Sequence, residues 1–402
     1  MALHGHPWSI LLLERNPRLG IKVLISGGGK CNITHTGSPD SILAEGFLER
    51  SERRFLRHAL HRFSNNNILE MLTRHGVAWH ARDNGRIFPD SGRAEDVLAA
   101  FEAELREVAV EVRTGFRATK IVPQGNAWQI RSEHEHLFAD AVILATGGVS
   151  YRKVGTTGDG IHIADALGHT IVPLRSALAP IYLKFPPSGE LVGIAVRDTR
   201  LHVVQNTRIV ASAPGDVLFT HKGLSGPATL DISRAAARAL EQGPITMRLN
   251  LLASEETALR ETLVFLQGDR AVQQIKTWLE EVLPNRFVPF VLDAANIERD
   301  RKWSALKRDE RTRLLATLLG FELGQVSEIP IDRGEVTAGG IGLGEVDSHT
   351  MMSKLQEGLF FAGEMLDIAG EIGGYNLQAA YSTGWVAGQS AVEFLQARVS
   401  QD

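Results

Sequence analysis

An α/β fold is predicted, in which a parallel-sheet domain is interrupted by a β-rich domain that carries a helical insert. Three observations predict it. The apolar run Leu359-Phe360-Phe361-Ala362 ends in Gly363-Glu364, and after a polar loop Gly373-Gly374-Tyr375-Asn376 opens a run of helix formers. Strand, turn, loop and helix start, in that order, put peptide N–H groups at a positively polarised terminus. A second buried run, residues 141–148 (AVILATGG), ends in glycines that let a ligand approach the strand end. Residues 170–248 change to short alternating runs such as LHVVQN and ITMRLNL, broken by Pro and Gly, which is the pattern of a small β domain.

The front of the chain carries the first functional signal. Ile10–Leu13 is an apolar strand that ends in Glu14-Arg15. In a dinucleotide-binding fold an acidic residue at the end of the second strand holds a ribose hydroxyl, about 20 residues past the G-x-G-x-x-G turn. Counting back from Glu14 runs off the start of the chain, so the first strand and the phosphate turn are expected to be missing. A glycine-rich loop, Ser26-Gly27-Gly28-Gly29-Lys30-Cys31-Asn32, stands where an amphipathic stretch would normally follow. Its flexible N–H groups suit an anionic or carbonyl-rich ligand.

Residues 42–108 read as mostly helical, broken by Gly85-Arg86-Ile87-Phe88-Pro89, and residues 110–148 as short strands. Gly155-Thr156-Thr157-Gly158-Asp159-Gly160 precedes a helix over 161–168, whose start Asp159 can cap. Residues 254–320 are helical by pattern. Residues 326–345, with Val336-Thr337-Ala338-Gly339-Gly340, look like a return through the β domain. The expected domains are therefore 1–175 with 345–402, 176–250 with 325–344, and the insert 251–324. The 141–148 and 359–362 strands are expected in neighbouring layers around one cleft.

Composition limits the function classes. A length of 402 residues suits two or three domains, and 44% apolar with 22% charged residues is ordinary for a water-soluble globular chain. A net charge of −4 gives no general pull toward nucleic acid or anionic membrane. Cys31 is the single cysteine, which excludes an internal disulfide and a cysteine-rich metal site. No H-E-x-x-H or C-x-x-C occurs, so no metal site is expected. No apolar run reaches bilayer length, and residues 1–13 lack a basic start and a small-residue cleavage pattern. A cytoplasmic location is expected. The basic run 299–313 is interrupted by Asp300, Asp309 and Glu310 and reads as a solvated helix face, so nucleic acid is not the expected partner. Ser225 lies in G-L-S-G-P, which is not the G-x-S-x-G elbow of a serine hydrolase.

Taken together, the SGGGKCN loop, the G-R-I-F-P element, the A-T-G-G strand, the T-G-D-G turn, Leu218–Pro227 (LFTHKGLSGP) and residues 358–388 resemble the HI0933-like (BaiN/YhiN-type) NAD(P)/FAD-dependent oxidoreductases. The resemblance covers Ile10 to Gly388. It implies a Rossmann-type FAD-binding domain and hydride transfer between the flavin and a small organic substrate. It implies cofactor contacts from Glu14, Arg15, Gly20, Ile21, Lys22, Ser26, Gly27, Cys31, Asn32, Ala118, Thr146, Asp159, Gly363, Glu364, Gly374, Asn376 and Leu377. Arg86, His221 and Tyr375 are candidates for the substrate side, with Arg86 and His221 in catalytic roles. With one nucleotide fold, NAD(P)H would visit the substrate side transiently. The missing phosphate turn is the departure from the family. Two alternatives stand beside this reading: a flavin-dependent RNA-modifying protein, and a non-catalytic truncated flavoprotein.

Overall fold

A computed structural model describes residues 8–400. The opening stretch read above, with His4, His6 and Pro7, lies outside them. The chain forms two compact units, one ending its first segment at Leu174 and resuming at Val336, the other spanning Arg175–Glu335. Residues 336–344 thus belong to the first unit rather than to the β-rich one.

The first unit opens with β1 (Leu11–Glu14), α1 (Ile21–Gly29) and β2 (Thr34–His35). Helices α2 (Pro39–Gly46), α3 (Arg50–Arg62) and α4 (Asn65–Arg74) follow, then β3 (Trp79–Ala81), β4 (Arg86–Pro89), α5 (Ala94–Glu107) and β5 (Glu111–Thr114). A meander of β6 (Lys120–Gln124), β7 (Ala127–Arg131) and β8 (His136–Ala139) leads to β9 (Val142–Leu144) and α6 (Asp159–Ala166). Local chemistry explains the helix starts. Glu49 and Glu52 form a reciprocal capping box at α3, and Ser64 with Asn67 does the same at α4. Helix α3 then buries Phe55, Leu56, Ala59 and Leu60, one face at helical spacing.

Two expectations need correction here. The segment after β1 is not a loop throughout: Ile21-Lys22-Val23-Leu24-Ile25 turns as helix, and the backbone departs from it at Ser26 (ψ 148) and left-handed Gly27 and Gly28. The glycine triplet masked a short amphipathic turn. G-R-I-F-P is not only a helix breaker, because Arg86–Pro89 is the middle strand of the order β2-β4-β3 with Ile87, Phe88 and Pro89 buried. Gly85 supplies the turn before it at φ 76.

Strand β10 (Ile171–Ala177) carries the chain into the second unit. There β11 (Ile181–Leu183), β12 (Ala195–Gln205), β13 (Arg208–Phe219), β14 (Gly223–Ser225), helix α7 (Pro227–Gln242) and β15 (Thr246–Asn250) precede the insert. The insert is α8 (Glu256–Asp269), α9 (Ile275–Val282), α10 (Val288–Ala294) and α11 (Arg308–Leu319), after which β16 (Phe321–Glu328) returns. The strands close a six-stranded antiparallel barrel in the order β11-β14-β13-β12-β15-β16. Closure removes the free edges. Leu201, Val203, Met247 and Leu249 alternate inward and share one core with Phe287 and Trp303 of the insert.

The first unit resumes with β17 (Val336–Ile341), β18 (Leu359–Phe361) and α12 (Tyr375–Val399). Strands β1 and β5 pair in parallel, Leu11 opposite Glu111 through Glu14 opposite Thr114. Strands β9 and β18 also pair in parallel, with Leu359 opposite Val142 and Phe361 opposite Leu144. The two runs expected in neighbouring layers are therefore adjacent strands of one sheet. Their apolar core includes Leu144, Phe360, Phe361 and, from α12, Ala379, Val386 and Ala387. No described helix is long and apolar enough to cross a membrane.

One polar group sits deep in this core. His169 is 2% exposed; its Nε2 lies 2.9 Å from Ser353 Oγ and its ring meets Phe361 edge-on. Burial lowers its pKa from the ordinary 6.5, with Glu345 at 3.4 Å pulling the other way. An unfolded chain takes up this proton near the ordinary value, whereas the folded chain resists it. Stability is therefore full above that value and falls as pH drops toward the lowered native one. Thermal melts from about pH 7.5 down to about pH 5.5 should show a declining midpoint, and His169→Gln should flatten that decline. An identical pH slope in the variant would contradict the assignment.

Candidate cofactor site

Three helices of the first unit begin in the same unusual way. The residues that precede α1, α6 and α12 are Gly20, Gly158 and Gly374, all left-handed (φ 65, 79 and 90), and none offers a side-chain cap. By contrast, Ser38 caps α2 through the Ser41 N–H. An uncapped first turn leaves N–H groups to solvent or to a ligand. Helix α12, with 25 residues, presents the longest macrodipole of the three. Gly374 has a further constraint: a Cβ there would lie 2.7 Å from the Thr34 carbonyl. Gly20 has its own, since a Cβ would strike Leu98 at 2.4 Å. Ile21 follows as a half-buried first helical residue.

The start of α12 is anchored from two directions. With its amide oriented by the surrounding hydrogen bonds, Asn32 accepts from the Gly374 N–H at 3.0 Å and donates to the Thr34 carbonyl at 3.2 Å. Asn376 accepts from the Gly370 N–H at 2.8 Å and donates to the Gly370 carbonyl at 2.9 Å, closing the loop ahead of the helix. Leu377 packs against the core built around Cys31 and Ile33. Asn32 and Asn376 therefore shape the loop through their side chains.

At the end of β1, Glu14 Oε1 accepts from the Asn16 N–H at 2.8 Å. Its other oxygen has no protein partner among the described residues. Arg15 donates to Asp159 at 2.9 Å, and Arg117 reaches the same carboxylate at 2.8 and 2.9 Å. The Arg117 hydrogen bond leads in holding Asp159 below the usual carboxylate range, against the opposing effect of burial. Ala118, beside Arg117, is half-buried against the sheet core. Thr146 is exposed at the end of β9, and Gly160 lacks the Cβ that would sit 2.2 Å from its hydroxyl.

Glu364 is the most connected carboxylate of the site. One oxygen accepts from the Thr337 N–H at 2.7 Å and from Ser150 Oγ at 3.1 Å; the other pairs with Lys22. Lys22 also donates to Ser150 Oγ at 2.8 Å. Thr337 Oγ1 in turn accepts from the N–H groups of Val149 and Ser150, at 2.8 and 3.1 Å. Ser150 and Thr337 were not among the expected site residues. Gly148 is explained by the same contact, since a Cβ there would lie 2.3 Å from Thr337 Oγ1. That glycine serves Thr337, whereas Gly147 (φ 75) meets only ordinary contacts. Gly363 (φ 72) donates its N–H to Thr383 of α12 at 3.0 Å.

In the glycine loop, Ser26 donates to the Val23 carbonyl at 2.7 Å, and Gly27, Gly28 and Gly29 are all left-handed and exposed. A Cβ on Gly28 would meet open space. Cys31 is fully buried at φ 54, and burial pushes its thiol up to about 11. It is a neutral thiol, without thiolate chemistry near neutral pH.

Arg86 leads β4, half-buried, with no carboxylate at ion-pair distance among the described residues. It does sense Tyr375: burial pushes that phenol up to about 12, Glu45 adds to the rise and Arg86 opposes it. His221 lies exposed in the second unit, in the turn before β14. His75, Glu104 and Glu107 also cluster, but Glu104 faces Nε2 at 2.7 Å and Glu107 the other ring nitrogen at 3.9 Å. Carboxylates on opposite ring nitrogens do not converge on one ion. In the basic run, Arg299, Arg301 and Arg313 pair with Asp293, Glu298 with Glu310, and Asp309 respectively.

The donor set fits a dinucleotide flavin. Glu14 offers a free carboxylate oxygen to a ribose hydroxyl, and the uncapped helix starts offer N–H groups to phosphate or to a carbonyl-edged ring. Comparison with known proteins agrees. The HI0933-like protein Rossmann domain matches residues 2–390. A 3-dehydro-bile acid delta(4,6)-reductase of Clostridium scindens is 30% identical over 96% of this chain and 93% of its own length. A ribosomal RNA dihydrouridine synthase of Escherichia coli is 29% identical over 95% of this chain and 92% of its own. In fold, the chain resembles a 3-ketosteroid delta1-dehydrogenase of Sterolibacterium denitrificans, with a TM-score of 0.50 at 12% identity over 96% of this chain and 95% of that one. The chain belongs to the HI0933-like family, flavin oxidoreductases built on a Rossmann-type domain.

Proposed function

We propose that this flavin oxidoreductase saturates a carbon–carbon double bond conjugated to a carbonyl in a small organic substrate, with NAD(P)H as a transient donor. The observation that carries the reading is Arg86: a half-buried guanidinium with no carboxylate partner among the described residues, beside the uncapped start of α12. A cation left unpaired in a partly desolvated place is suited to an anionic or carbonyl oxygen. The names of the two relatives point the same way. One names a delta(4,6)-reductase acting on a 3-dehydro-bile acid and the other a dihydrouridine synthase, and both describe loss of a double bond near a carbonyl.

When bound, FAD supplies the hydride carrier, held by Glu14, the Gly27–Gly29 loop and the first turn of α12. Arg86 orients the substrate carbonyl and stabilises the negative charge that grows on its oxygen. His221, in the second unit, is assigned the role of proton donor by resemblance alone. Both roles orient and assist; neither residue carries the hydride. A second reading, reduction of a base within RNA, is favoured by the name of the E. coli relative. The local pairing of the cations in the 299–313 run counts against it.

Arg86→Ala should lower kcat/KM for a conjugated enone about a hundredfold, while FAD per chain stays at the parent level. Equal activity in the variant would sink the assignment. His221→Ala should slow turnover by a similar factor of about a hundred with FAD content unchanged. Loss of FAD in that variant would move His221 into the cofactor shell, and unchanged turnover with several acceptors would remove it from the mechanism.

A further inference from the structure

We propose that His35 is a positioning residue that fixes Arg86 for the substrate, an inference that rests on the role given to Arg86 above. Strands β2 and β4 pair antiparallel with His35 directly opposite Arg86 and Thr34 opposite Ile87. Directly opposed residues send their side chains to the same face of the sheet. His35 and Arg86 are thus neighbours although 50 residues of chain separate them.

The His35 ring spans the end of this ladder. Its Nδ1 lies 2.9 Å from the Thr36 carbonyl and its Nε2 lies 3.0 Å from the Asn84 carbonyl. Both partners are carbonyls, which only accept, so the ring donates to both with a proton on each nitrogen and to one of them when neutral. Either way each nitrogen faces the backbone, and the ring acts through what it holds. What it holds is the turn that delivers Arg86. Thr36 donates its N–H to the Gly85 carbonyl at 2.8 Å, and Gly85 donates to Arg82 at 2.9 Å. Gly85 itself is required by the ring: a Cβ there would lie 2.3 Å from the imidazole carbon between the two nitrogens.

The face of the ring is equally committed. It stacks on Tyr375 at 4.8 Å between centroids and 24° between planes. Tyr375 is wedged in place, because Cβ atoms on Gly46 or Gly373 would approach it to 2.4 and 2.3 Å. His35 therefore ties the first residue of α12 to the β3–β4 turn. A long guanidinium side chain loses rotamer freedom when it is ordered. Anchoring its backbone on two sides removes the looseness of the turn from that cost and places the charge beside the helix start where the flavin is proposed to lie.

The test uses the full chain loaded with FAD and, as probe, an α,β-unsaturated steroid ketone bearing a carboxylate. Binding is followed by the change in flavin absorbance, and amide hydrogen exchange is read at Thr36 and Gly85. His35→Ala should weaken the probe about tenfold, speed exchange at both amides, and leave FAD per chain unchanged. His35→Phe keeps a ring on Tyr375 but loses both polar links, and it should behave like His35→Ala. In an Arg86→Ala background, His35→Ala should add no further loss, because the effect passes through Arg86. Equal losses in the two backgrounds, unchanged exchange, or departure of FAD from His35→Phe would each overturn the proposal. If the parent protein fails to bind the probe, the conjugated-carbonyl reading falls, and the exchange rates alone decide the clamp.

Discussion

The Glu364 carboxylate is the constraint on which the first unit depends. It draws together α1 through Lys22, the loop after β9 through Ser150, and β17 through Thr337. Thr337 then returns to the β9 loop by accepting from Val149 and Ser150, so the contacts close a ring. Hydrogen bonds to a charged group contribute about 1.5–3 kcal/mol each, and the partial exposure of Lys22 places that pair toward the low end. Their larger effect is geometric. Three segments far apart in sequence are held at the end of β18, where its strand gives way to the loop that leads into α12.

Glycines complete that geometry, for separate physical reasons. Gly148 makes room for Thr337, Gly374 for the Thr34 carbonyl and Gly85 for His35. In the 27–29 loop, Gly27 is held by the Asn32 backbone, whereas exposed Gly28 and Gly29 meet no such close demand from the protein itself. Glycine-rich stretches in this chain thus divide into those that permit close packing and those that leave backbone open to a ligand.

The fold was legible where chemistry repeats locally. Apolar runs bounded by Gly363-Glu364 and Glu14 revealed strands and their ends, and the alternation over 170–248 revealed a β-rich domain, though not that its strands close into a barrel. What depended on contacts between distant segments was not legible. V-T-A-G-G reads as a strand in either unit, so Thr337 was set with the β domain although its partners are Glu364, Val149 and Ser150. His35 belongs to no motif in the sequence, because strand register alone decides that it faces Arg86. Cys31 and Asn32 were visible as motif members, but burial decides that the first is an inert thiol and hydrogen bonding that the second anchors α12.

The central claim is that one carboxylate organises the cofactor-facing end of β18. Glu364→Gln tests it directly, since one position of the new amide must turn a donor toward Lys22, Ser150 or the Thr337 N–H, which already donate. Amide exchange at Thr337, Val149 and Ser150 should be measured together with FAD bound per chain. The account predicts faster exchange at all three amides and a fall in bound FAD. Parent-level exchange with full FAD occupancy would contradict it.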